Sequence, residues 1–117
     1  MSRANRMKTD KIRGLLGLAR RARAVTVGSR ETRSAMRRGE IRLVLLASDG
    51  SERDQERLRR LTDESHVPAR MLASREELGS WIGAGPVAVL GVRDPNLAAA
   101  VLESVDGESA NGGEKRE

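Results

Sequence analysis

The chain contains no cysteine, no phenylalanine and no tyrosine, with a single tryptophan (Trp81) and a single histidine (His66) among its 117 residues. Without cysteine there is neither a disulfide framework nor a thiolate metal site, and His66 alone cannot complete a zinc cluster. That usage fits a reducing compartment. The shortage of aromatics removes base stacking as a recognition device and leaves packing to Leu, Ile, Val, Met and Ala. No apolar run approaches the roughly 18–20 residues that a bilayer span requires, and the first residues lack the apolar segment of a signal peptide. A cytosolic protein with no membrane partner is expected.

Lysine is also scarce. Only Lys8, Lys11 and Lys115 are lysine among the 22 basic residues, and the net charge is +5. That total conceals a division along the chain. Residues 1–47 hold thirteen Lys and Arg against three acids, net +10, while residues 48–117 hold nine against fourteen, net −5. A GC-rich genome explains arginine over lysine but not this clustering. A field so one-sided raises encounter rates with polyanions and is the footprint expected of a nucleic-acid face.

At this length one domain with one core is expected. Residues 1–7 read as a flexible basic arm. From Lys8 to about Arg23, Ile12, Leu15, Leu16, Ala19 and Ala22 recur at helical spacing, with Gly14 and Gly17 pointing to a close-packed neighbour. Val25–Val27 reads as a short strand, and Gly28 and Ser29 open a helix that Gly39 stops. Ile41–Ala47 has the nearly continuous apolar character of a central strand covered on both faces. Ser51 with Asp54 caps a charged helix to about Ser65, anchored only by Leu58 and Leu61. A strand over Val67–Leu72 follows. Ser74-Arg75-Glu76-Glu77 is a capping box ahead of Leu78, Trp81 and Ile82. After the loop Gly83–Pro86 comes a last strand, Val87–Val92, then Asp94-Pro95 as cap and first turn of a helix over Asn96–Val105. Residues 106–117 read as a disordered tail. Helices alternating with apolar strands predict an α/β fold, a three-layer α/β/α sandwich over residues 8–105 with a small central mixed sheet.

The sequence lacks both Gly-x-Gly-x-x-Gly and a P-loop. Gly83-Ala84-Gly85 lies after a helix and before a strand, the wrong order for holding a pyrophosphate, and reads as a turn. Asp49 ends the central strand, where α/β proteins place catalytic acids, yet the neighbouring strand end offers no partner acid. A cap or loop role is the simpler reading. His66 reads as a helix-end or surface residue and Trp81 as core. That leaves the Gly28–Gly39 helix, where Glu31 sits among Arg30, Arg33, Arg37 and Arg38. A solvated basic helix would account for the arginines alone. A nucleic-acid surface accounts for more: Gly28 permits close backbone approach, the helix N-terminus offers amides to phosphate, the arginines suit phosphates or guanine edges, and Glu31 can accept from base amino groups. Without aromatics, such a surface suits structured RNA recognised by shape.

The run from Leu15-Leu16-Gly17-Leu18-Ala19-Arg20-Arg21-Ala22 through Val27-Gly28, Glu31, Ala35, Gly39, Leu43–Asp49, Val67-Pro68 and Glu77-Leu78-Gly79 resembles the L7Ae-type ribosomal protein family, within it the small bacterial YlxQ-like members. The similarity spans about residues 8–105. It implies the three-layer α/β/α fold, binding to kink-turn RNA and no catalysis. The family's recognition motif reads Gly-x-Asn-Glu with a Lys three residues after the Glu. Gly28 and Glu31 match it, Arg30 stands at the Asn place and Ser34 at the Lys place. The family's second contact, an apolar loop before the last strand, corresponds to Ile82, Ala84, Pro86 and Val87.

The expected function is therefore a non-enzymatic, monomeric RNA-binding protein without cofactor or metal, whose partner is a kink-turn or similarly kinked rRNA element, in the setting of the ribosome or translation. Gly28, Ser29, Arg30, Glu31, Arg33, Ser34, Arg37 and Arg38 would form one half of the site and the Ile82–Val87 loop the other. Two other classes remain open at this level. One is a protein-interaction adaptor using the charged helix Ser51–Ser65 or the terminal helix; the other is an accessory substrate-binding module for an RNA-modifying enzyme such as a methyltransferase. A metal-dependent enzyme centred on Asp49 is a further alternative.

Overall fold

The computed structural model describes residues 3–114. Nine elements follow one another: α1 (Arg3–Arg21), β1 (Val25–Val27), α2 (Ser29–Arg37), β2 (Leu43–Leu46), α3 (Glu52–Ser65), β3 (Ala69–Met71), α4 (Arg75–Trp81), β4 (Val89–Val92) and α5 (Pro95–Glu114). The sheet runs in the order β1-β4-β2-β3, with β2 and β3 parallel and the other pairs antiparallel. It is the mixed sheet expected. β2 and β4 lie inside it and are buried at every position, which is why their sequences are almost wholly apolar.

Alternation along β2 divides the core in two. Leu43 and Leu45 point to one face, where Ile12 and Leu16 of α1, Leu78 of α4 and Ala98 and Val101 of α5 cover them. Val44 and Leu46 point to the other, against Ala35 and Met36 of α2 and Leu58 of α3. Three layers result, with α1, α4 and α5 on one side and α2 and α3 on the other.

Helix starts follow their capping chemistry. Ser51 Oγ accepts from the Asp54 amide at 3.3 Å, and Ser74 and Glu77 form a reciprocal capping box. Asp94 Oδ1 accepts from the amides of Asn96 and Leu97 at 2.8 and 3.0 Å. Asp49 is also a capping group, its Oδ1 accepting from the Arg75 amide at 2.8 Å. His66 ends α3 in the left-handed region, φ 58°.

Both ends depart from the sequence reading. α1 starts at Arg3, so residues 3–7, read as an arm, are helical; they contain no Gly or Pro and are rich in good helix formers. The helix stops at Arg21 because Arg23 turns at φ 59°, leaving Ala22 exposed rather than on the buried stripe. Gly14 has no neighbour to explain it, whereas a Cβ on Gly17 would come into ordinary contact with the Arg21 side chain at 3.6 Å and the Trp81 carbonyl at 3.9 Å. At the other end α5 runs on through residues 106–114, which had read as tail; residues 115–117 lie outside the described residues.

Part of that extension has a visible cause. Arg70 on edge strand β3 grips Asp106 with Nε and Nη2, the shortest contact being 2.8 Å. The hydrogen bond from Arg70 holds the Asp106 carboxyl below its ordinary value, against a smaller opposing effect of burial. A depressed carboxyl stabilises the fold above its unfolded pKa of about 3.9 and loses that contribution as pH falls through the folded value. Both side chains are more than a third exposed, 38% and 39%, so the pair is worth no more than about 1 kcal/mol. Asp106→Asn should therefore lower stability slightly at pH 7 in urea titration, and the gap should close on acidification below the ordinary carboxylate range. A gap unchanged at low pH would contradict this origin.

Candidate nucleic-acid interface

The link between β1 and α2 is built around Gly28. Its φ of 96° and ψ of 159° suit glycine alone, and its amide donates to Val89 O of β4 at 2.8 Å. The chain can thus leave the sheet edge and start a helix at once. Gly28 supplies no side-chain cap, so the first-turn amides of α2 face outward without one.

Glu31 stands one turn into α2, exposed. Its Oε1 accepts from the Val27 amide at 3.1 Å, which fixes the carboxylate and leaves Oε2 open. Beside it lies a cavity of ≈320 Å³ lined by Arg20, Arg23, Val25, Val27, Glu31 and Arg93. Three guanidinium groups, one carboxylate and an apolar floor of two valines thus share one concavity. Arg93 Nε is buried without a hydrogen-bond partner among the described residues, so a donor remains to be satisfied. Arg20 Nη1 donates to Ile82 O at 3.3 Å, tying this wall to the α4–β4 connection. The two halves expected from the sequence therefore adjoin one another through Arg20.

Arg20, Arg23 and Arg93 were not among the residues singled out from the sequence. Arg20 and Arg23 carried a signal in the basic first third of the chain. Arg93 carried none, since it reaches the cavity only because β4 pairs antiparallel with β1, its amide bonding Ala24 O at 2.7 Å.

The expected residues of α2 differ in availability. Arg30 and Arg37 are exposed; Arg33 is half-buried, its Nε making a long 3.4 Å contact to Ser29 O. Arg38 donates to Ser34 Oγ at 2.9 Å and to both oxygens of Glu40 at 3.0 and 3.2 Å. That bond lowers the Glu40 carboxyl and raises the Arg38 guanidinium. Much of the Arg38 charge is offset within the protein.

The second half is less open than the sequence suggests. Ile82 and Val87 are each only 5% exposed and belong to the core beneath α1 and α4, which leaves little of either side chain at the surface. The burial follows from a folded-back loop: the Ala84 amide bonds Gly79 O at 2.9 Å and the Val87 amide bonds Arg75 O at 3.0 Å. A Cβ on Gly79 would strike the Gly85 carbonyl, so only glycine lets the loop lie against α4. Exposed Gly83, Gly85 and Pro86, with half-buried Ala84, are the surface that remains. Trp81 is partly buried against the same core, as expected.

The sequence profile of the ribosomal protein L7Ae/L30e/S12e/Gadd45 family matches residues 10–102. The chain belongs to this family. The match runs from α1 into the first part of α5, ending at residue 102, and contains both halves of the candidate interface. A relative within reach of direct alignment is the RNA-binding protein YlxQ of Bacillus subtilis, 33% identical over 92 residues, covering 79% of this chain and 92% of that protein. Among solved structures, a protein of unknown function from Bacillus halodurans superposes with a TM-score of 0.80 at 30% identity, over 82% of this chain and 97% of that one. The 15.5kD RNA binding protein of Giardia lamblia shares the L7Ae-type fold, with a TM-score of 0.72 at 21% identity over 89% of each chain. Within the chain itself, antiparallel pairing sets the end of β1 and the Gly28 turn beside the start of β4, where the α4–β4 loop enters the sheet.

Proposed function

We propose that this protein binds structured RNA without catalysing a reaction, and that its target is a kinked internal loop of the kink-turn type, as in ribosomal RNA. The observation carrying this reading is the Glu31 carboxylate held by the Val27 amide at the rim of a cavity walled by Arg20, Arg23 and Arg93. An anchored carboxylate accepts two hydrogen bonds in a fixed direction, which suits the amino and imino groups of a guanine exposed by sheared pairing. The surrounding guanidinium groups offset the charge of the phosphates on either side. The outward amides of α2 add donors for one more phosphate. The relative named as an RNA-binding protein supports the same partner.

Shape selects this target over single strands, because the cavity floor is Val25 and Val27 and no aromatic stacking platform lines it. One protein per RNA is expected. The test compares binding of the purified chain to a kink-turn RNA and to a fully paired duplex of equal length and charge at fixed salt. Tighter binding to the kinked RNA by tenfold or more is expected. Equal affinities would reject kink recognition and leave a general polyanion surface.

A further inference from the structure

α3 carries four arginines and five acids and reads in sequence as a mixed, slightly acidic helix. Its packing gathers three of the arginines on the side that meets α2, with Glu56 and Glu64 among them. Arg53, Arg57 and Arg60 recur at spacings of four and three, along one stripe of the helix. Arg33 and Arg37 do the same on α2, which packs against α3. A cleft of ≈140 Å³ between the helices is lined by Arg33, Arg37, Arg57, Arg60, Leu61 and Glu64, and an adjoining one of ≈200 Å³ by Arg53, Glu56, Arg57 and Arg60. Together they assemble five guanidinium groups and two carboxylates. Glu56 is engaged with Arg60 at 3.5 Å, both largely in water, while Arg37, Arg53 and Arg57 have no partner among the described residues.

We infer that this α2–α3 face is a second RNA contact, which holds the phosphate backbone of a helical stem flanking the kinked loop. The inference rests on the proposed RNA site in one respect: α2 is common to both surfaces. An RNA seated at Glu31 and Arg30 passes its backbone along Arg33 and Arg37 onto α3. The chemistry matches phosphate, since guanidinium forks bind its oxygens and the clefts are open and polar. It fits a protein partner poorly. Leu61, the sole apolar residue lining either cleft, is half-buried against the core, and no aromatic anchor stands there.

The contact reads no base, so it extends affinity without adding sequence preference. It should show in salt dependence. The experiment measures affinity of the full chain and of the Arg57→Gln/Arg60→Gln double variant for kinked RNAs with short and long flanking stems, over a range of salt. On the long-stem RNA the variant is expected to lose roughly tenfold in affinity and about two in the slope of log K against log salt. On the short-stem RNA it should match the parent chain. An unchanged slope on the long stem, or equal losses on both RNAs, would overturn the contact. A variant that keeps RNA binding but loses an acidic protein partner would overturn it in favour of protein docking. The two readings fail separately: if kinked and plain duplexes bind alike yet the double variant weakens both, kink recognition falls and the backbone contact stands. Both residues are exposed, and an unchanged circular dichroism melt confirms that the variant folds.

Discussion

Replacing Glu31 with alanine should weaken binding to a kink-turn RNA by about 1–3 kcal/mol, roughly 5- to 150-fold, and leave binding to a plain duplex almost unchanged. The asymmetry follows from what a carboxylate does at this place. Toward a duplex backbone it only repels, so its loss costs nothing and even helps. Toward an exposed guanine edge it is the acceptor for two donors, which stay unpaired when it is removed. Glu31 has a second duty that the variant must be freed from, because Oε1 also holds the Val27 amide at 3.1 Å. Glu31→Gln separates the two. Its carbonyl oxygen keeps the Val27 contact, but its NH2 group presents donors where the base also presents donors. Both variants should therefore lose kinked RNA; if only the alanine variant does so, Glu31 acts by holding the turn and reads no base.

Gly91→Ala should damage the sheet beneath α2, lowering stability by about 1–3 kcal/mol, about 4 °C in Tm for each kcal/mol at this size. Gly91 lies mid-strand in β4, opposite Thr26 of β1 and Val44 of β2. A methyl group there would run into Thr26 Oγ1, and it would stand 3.0 Å from Ile41 Cδ1 and 3.1 Å from Thr32 Cγ2. These are the atoms that seat α2. Thr26 and Thr32 are buried and their hydroxyls bond each other at 2.8 Å, joining β1 to the first turn of the helix. Against the collision, the unfolded chain loses freedom on Gly→Ala, a gain of only about 0.4–1 kcal/mol. The collision outweighs it. Gly14→Ala is the natural control, since nothing lies within 4 Å of its added methyl, and it should be neutral or stabilising. Thermal melts of both variants decide the matter; equal Tm values would show that α2 has room above Gly91. Because the shift displaces the turn carrying Glu31, Gly91→Ala should also weaken kinked-RNA binding.

The parts of this molecule legible in its sequence are those set by neighbours along the chain. The caps at Ser51, Ser74 and Asp94 involve groups within three residues of one another, and each is made as read. β2 announces its central place by lacking charge. Gly28 and Glu31 form a unit of four residues, so their turn was visible too. Helix ends were less legible: α1 starts at Arg3 without a stop signal, and α5 is held past Val105 by an arginine 36 residues earlier in the chain.

The sequence by itself determined the α/β/α layering, the family and the turn that carries Glu31, because hydrophobic period, capping and glycine geometry are local. Only the tertiary structure decided what surrounds that turn. Antiparallel pairing of β1 with β4 brings Arg93 beside Glu31, and the folded-back α4–β4 loop draws Ile82 and Val87 into the core. Packing of α2 on α3 gathers arginines from a basic segment and an acidic one into a single face. Charge along a chain counts residues in order, whereas the field that a polyanion meets depends on which helices lie side by side.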